Sequence, residues 1–166
     1  MRSAALITTL AVAVALSGCG GFSKYSRSKA CGVPTGDVSA VVGTDRFHTA
    51  TRGETIPPIT GTSFTCSVNL LDRDGVLTVT AERLAGDVLA RYREQIVDAD
   101  EQFTVAGGPA GIEVTDSGFT GRWMCEQQGR AGAMRIHVRA DTKASAAQRR
   151  ALVTAVAERA GAACAA

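Results

Sequence analysis

The stretch FTGRWMCEQQGRAGAMRIHVRA, Phe119 to Ala140, gathers the side chains of this chain best suited to gripping an anion. Alternation puts Trp123 and Cys125, then Met134, Ile136 and Val138, on one side of two predicted strands. Arg122, Glu126, Arg135, His137 and Arg139 fall on the other side. Three guanidinium groups and an imidazole on one sheet face can pair with phosphate or carboxylate oxygens, each guanidinium as a planar fork of donors. Such a face would take an anionic wall polymer or a partner protein; the plainer alternative is a solvated sheet face. Arg122, Arg135, His137 and Arg139 are the candidate ligand-binding residues.

Other chemistry is sparse. His48 and His137 are the only histidines, and no G-x-S-x-G, S-x-x-K or H-E-x-x-H pattern occurs. A hydrolase would need His48, beside Asp45 in a loop, to meet a serine in space; a solvated loop histidine is the commoner case. The expectation is a non-enzymatic binding or interaction module with no catalytic residue; the alternatives are that envelope hydrolase and an accessory subunit whose exposed sheet face or Thr44 to Ser63 loop docks on a membrane complex. Asp72, Asp74 and Gly75 superficially resemble a calcium loop, but no glutamate closes the ligand series. Gly107 and Gly108 lack the strand, helix and Lys-Ser/Thr of a phosphate loop and read as a tight turn. No metal and no cofactor is expected. Trp123, the sole tryptophan, reads as core, and Arg52 to Glu54 as loop.

Cys31, Cys66, Cys125 and Cys164 form an even set without C-x-x-C or cysteine-histidine spacing. Outside the cytoplasm they read as two disulfides with three possible connectivities. Cys31 with Cys66 and Cys125 with Cys164 is the expected pairing, because each bridge ties a helix-flanking residue to a strand residue within one half of the chain. Each would stabilise the fold by about 3 to 4 kcal/mol on the chain-entropy model.

The elements that must carry these groups follow from periodicity and turn residues. A short helix is predicted after Pro34, with Val38, Val41 and Val42 on one stripe and Gly43 at its end. Thr44 to Ser63 reads as a long loop. Cys66, Val68 and Leu70 alternate into a hairpin at Asp74-Gly75, with Leu77 and Val79 in the return strand. Val88, Leu89, Tyr92 and Ile96 mark an amphipathic helix capped by Asp87. A glycine-rich turn leads into a strand bearing Ile112 and Val114, and the last two strands turn at Gly129 to Gly132. The final helix starts at Ser145 with Gln148 as a capping-box partner, and carries Leu152, Val156, Ala160 and Cys164 on one stripe. Cys164 would thus face the sheet near Cys125. The expected fold is α+β, an antiparallel sheet of about five strands with helices packed on one face.

The N-terminus speaks to location. Arg2 and the chain amine precede an apolar run of about 13 residues, Ala4 to Leu16, then Ser17-Gly18. This is the layout of a secretory signal and too short for a membrane-spanning helix, which needs roughly 20 residues. Leu16-Ser17-Gly18-Cys19 resembles the bacterial lipoprotein cleavage motif, which implies a diacylglyceryl-modified Cys19 as membrane anchor. Residues 1–18 are then a signal peptide, 19–30 the acylated cysteine and a flexible basic linker, and 31–166 one extracytoplasmic domain. The formal charge of +2 carries no patch basic enough to suggest nucleic acid.

The lipoprotein signal, the polar linker, Cys31 beside a small helix, Cys66 opening a strand, GGPAG at Gly107 to Gly111 and a C-terminal helix together resemble an uncharacterised-domain family of small actinobacterial lipoproteins. Members usually carry an aromatic after the second cysteine, where this chain has Ser67-Val68. The resemblance implies an outer-face, lipid-anchored domain and no assigned activity.

Overall fold

In the computed structural model, residues 29–52, 63–127, 130–139 and 144–164 are described. The signal, Cys19, most of the linker and the Gly53-Glu54 part of the RGE stretch lie outside them. The chain runs β1 (Lys29–Ala30), β2 (Val33–Pro34), α1 (Thr35–Val42), β3 (His48–Arg52), β4 (Phe64–Asn69), β5 (Leu77–Leu84) and α2 (Gly86–Val97). It continues through β6 (Glu101–Val105), β7 (Gly108–Thr115), β8 (Gly118–Gln127), β9 (Arg130–Arg139) and α3 (Ala146–Cys164). Lys29 and Ala30, assigned to the linker, already belong to the fold: they pair with Pro34 and Val33, and Ala30 is buried.

The α+β class holds, but the sheet has seven strands rather than about five, antiparallel throughout, in the order β3-β4-β5-β9-β8-β7-β6. The two strands beyond expectation are its edges. All five residues of β3 are exposed, so no apolar alternation betrays a strand inside the supposed Thr44 to Ser63 loop. In β6 only Phe103 and Val105 alternate, and the turn into β7 is Ala106-Gly107, both at positive φ, as in a type I′ hairpin. Strand pairing between β8 and β9 continues to Gln127–Arg130, so Gly132 sits within β9 and not in the turn.

Helices cover both faces, which corrects the one-sided expectation. Val38, Val41 and Val42 of α1 and Leu152, Val153, Val156, Ala157 and Ala160 of α3 share a core with Cys66, Leu77, Val79, Ile112, Trp123, Met134 and Ile136. Tyr92 and Ile96 of α2 pack instead with Leu84, Met124, Ala131 and Ala133 on the opposite face. Alternation demands this: Trp123 and Met124 are neighbours on β8, and both are buried. A helix had to cover each.

The capping box predicted at α3 is present. Ser145 Oγ accepts from the Gln148 backbone N–H at 3.3 Å, and Gln148 Oε1 accepts from the Ser145 N–H at 2.8 Å. Asp87 is not the cap of α2; Ala85 is, with no side-chain bond, and Asp87 sits in the first turn, where its charge suits the helix dipole. Cys31 and Cys66 are bridged, with Cα atoms 5.4 Å apart. Cys125 is also disulfide-bonded; the side chain of Cys164 lies outside the described residues. Among the described residues no helix is long and apolar enough to cross a membrane.

Candidate anion-binding site

Register brings the predicted residues together. Across β5, β9 and β8, Thr78, His137 and Thr120 lie directly opposite one another, and in the next row so do Thr80, Arg135 and Arg122. Strands about 4.8 Å apart set these six side chains into two adjoining rows on one face. They line an open hollow of about 350 Å³. The first row extends to Ser67 on β4 and Glu113 on β7, the second to Thr65 and Gly111. Met124 and Ala133, the row beyond Arg122 and Arg135, pack with α2, whose end also covers Gly111, and the hollow lies beside that helix.

Arg122 is 9% exposed. Its Nη1 donates to Glu113 Oε2 at 2.9 Å, whereas its buried Nε has no hydrogen-bond partner. Arg135 stands directly opposite on β9, exposed, and among the described residues no acid lies within ion-pair distance of it. Like charges facing each other across a ladder are destabilising. The fold therefore holds positive charge here that its own acids only partly offset.

His137 Nδ1 lies 3.0 Å from Thr120 Oγ1. Partial burial, and then the charges of Arg139, Arg135 and Arg122, hold its pKa below the ordinary 6.5, so the ring is neutral at pH 7. Arg139 shares the face and contributes to this field, but does not line the hollow. Of the four candidates, the structure thus groups Arg122, Arg135 and His137 and sets Arg139 beside them. Thr78, Thr80 and Thr120 were missed. Thr78 and Thr80 alternate with Leu77, Val79 and Ala81, which was legible as an outward face; what it would face was not.

His48, the histidine of the hydrolase alternative, lies apart from this hollow. It sits on β3, its Nε2 3.4 Å from Asn69 Nδ2, and with Asp45, Arg46, Phe47 and Leu71 it lines a separate hollow of about 340 Å³. The Thr120–His137 pair does join a hydroxyl to an imidazole, yet partial burial and then three nearby guanidinium groups weaken that ring as a base. Among the described residues no acidic hydrogen bond orients the ring from its other nitrogen. Trp123 is fully buried, with its Nε1 donating to the Val105 carbonyl at 2.8 Å.

No protein-family model matches the chain, and no curated protein or solved structure matches it either.

Proposed function

We propose that this chain is a lipid-anchored protein of the outer face of the cell membrane, whose open sheet face binds an oxyanion on a wall polymer or an envelope protein. It is a binding module and not an enzyme. The observation that carries the reading is the pair of opposed guanidinium groups, Arg122 and Arg135, with three threonine hydroxyls and an imidazole around one hollow. Planar guanidinium forks suit phosphoryl and carboxylate oxygens. The signal-like N-terminus and the Cys19 motif support the location, and the resemblance to small actinobacterial lipoproteins fits the same picture. The Cys125 bridge is assigned to Cys164, giving two disulfides outside the cytoplasm.

Retention of the mature protein on immobilised phosphate-bearing polymer tests the binding. Arg135→Ala should reduce retention severalfold, and more strongly at low salt, where charge attraction reaches farther. Unchanged retention of that variant would end the proposal for this face. Cys19→Ala should move the protein from the membrane fraction to the medium; a variant that stays with the membrane is not held by acyl chains.

A further inference from the structure

Resting on the oxyanion reading above, we propose that the hollow takes a phosphoryl group and that His137 takes up a proton as the anion binds. The ligand class follows from donor count. Two guanidinium groups, three threonines and one imidazole line the hollow, with Thr80 Oγ1 donating to the Arg135 carbonyl, Thr78 Oγ1 paired with Ser67 Oγ, and Thr120 Oγ1 paired with His137 Nδ1. The donors left for a ligand are the Arg135 fork, the part of the Arg122 fork not bound to Glu113, and Nε2 of protonated His137; spread over two rows, they suit the three strong acceptor oxygens of a phosphoryl group better than the two of a carboxylate. A space of 350 Å³ holds about a dozen waters at liquid density, so the group that carries the phosphoryl also has room.

The proton follows from who surrounds His137. Its own strand brings Arg135 and Arg139; β8 brings Arg122 and the Thr120 hydroxyl, which already occupies Nδ1. From β5 come Thr78, directly opposite, and Glu82, two rows along. Glu113, opposite Thr120 on β7, is engaged by Arg122, and α2 brings Tyr92, which feels Arg122, Arg135 and Glu82. Partial burial, and then cations that outnumber the acids, disfavour a fourth positive charge there while no anion is bound. An anion among those guanidinium groups reverses the balance. By linkage, the factor by which the anion favours protonated His137 equals the factor by which protonation tightens the anion.

Sulfate is the probe for the proton, because its charge stays fixed between pH 5 and 8, whereas a phosphomonoester titrates near 6. Only two histidines are present, so NMR titration of full-length mature protein in an uncharged detergent resolves His137, with His48 as internal reference. The expected result is sulfate binding about threefold or more tighter at pH 5.5 than at pH 8, with the His137 midpoint raised about 0.7 unit or more by saturating sulfate, a shift that tends to about fivefold at full protonation. His137→Gln should bind sulfate with an affinity that no longer depends on pH. Sulfate that binds equally at both pH values, with an unmoved His137 midpoint, overturns the proton uptake but leaves the oxyanion site standing. No binding of sulfate or phosphate at any pH overturns the site itself. Glycerol phosphate and a glycerol phosphodiester, compared with acetate and glucuronate, test the class; carboxylates that bind as tightly as the phosphates overturn it.

Discussion

Arg122 and Arg135 work against the stability of the sheet that holds them. Cross-strand like charges cost a few tenths of a kcal/mol to about 1 kcal/mol, and Glu113 relieves only one partner. Arg135→Thr would place a threonine between Thr80 and Arg122 and remove the repulsion. The variant should be about 0.5 kcal/mol more stable in urea titrations at low salt, a gain that shrinks near 1 M salt, where the screening length is about 3 Å. A loss of stability at both salt levels would show that the arginine stem covers apolar surface instead. Tyr92 presents a different residue-level test. Its buried hydroxyl donates to the Met134 carbonyl at 2.6 Å, and burial pushes the phenol pKa well above its ordinary 10.0. A folded-state pKa raised above the unfolded one means that stability is fully present below pH 10 and lost as pH climbs past it. Tyr92→Phe should cost about 1 kcal/mol at pH 7, and the difference from the native protein should narrow above pH 10. A difference constant to pH 11 would refute the burial of that phenol. The candidate arginines were legible because they alternate with large apolar residues. Their partner threonines were not, since a threonine facing solvent and one facing a guanidinium look alike in a sequence.

Helices and sheet meet through glycines. A Cβ on Gly121 would stand 2.3 Å from Val153 Cγ2 on α3, and one on Gly111 would stand 2.8 Å from both the Ala99 Cβ and the Ile96 carbonyl at the end of α2. A Cβ on Gly108 would fall 1.9 Å from the Met124 carbonyl, a conflict with backbone that no rotamer relieves. Gly121→Ala should therefore destabilise the domain by about 1 to 3 kcal/mol, and a second change, Val153→Ala, should recover part of that loss. Gly108→Ala should be more damaging and gain nothing from Val153→Ala. Thermal melts of the two glycine variants, each with and without Val153→Ala, decide this; equal rescue of both would contradict the packing. The sheet edge at β6 is held by charge, because Arg149 and Arg150 both bond the Glu101 carboxylate while Arg150 also lies over the Phe103 ring at 5.3 Å. The cap of α3 was readable because a capping box spans only four residues. The edge strands were not: β3 buries nothing, and an unburied strand carries no apolar period.

For the molecule as a whole, the cysteines decide how far the chain can open. The bridge from Cys31 to Cys66 closes a separation of 35 residues and fastens the β1–β2 turn to β4, inside the core shared by α1 and α3. Opening it with Cys31→Ser and Cys66→Ser together should cost about 3 kcal/mol or more. A non-reducing peptide map should join the Cys125 peptide to that of Cys164; a Cys125 peptide linked to Cys19 would overturn both that bridge and the lipid anchor. The candidate face depends equally on long-range contact. Its first row needs β5 beside β9, a pairing of residues about sixty positions apart in the chain, Thr78 with His137 and Thr80 with Arg135.

The amino-acid order alone carried whatever is written within a few residues: the alternation of Arg122 to Arg139, the box at Ser145 and Gln148, the hairpin at Gly75 and the stripe of Val38, Val41 and Val42. These are periods and turns, enforced by local sterics and local hydrogen bonds. Folding in three dimensions chose which strands lie side by side, which helix covers which face, and so which hydroxyls meet which guanidinium groups. Strand neighbours are selected by the burial of distant residues against one another, and no local window of sequence contains that information.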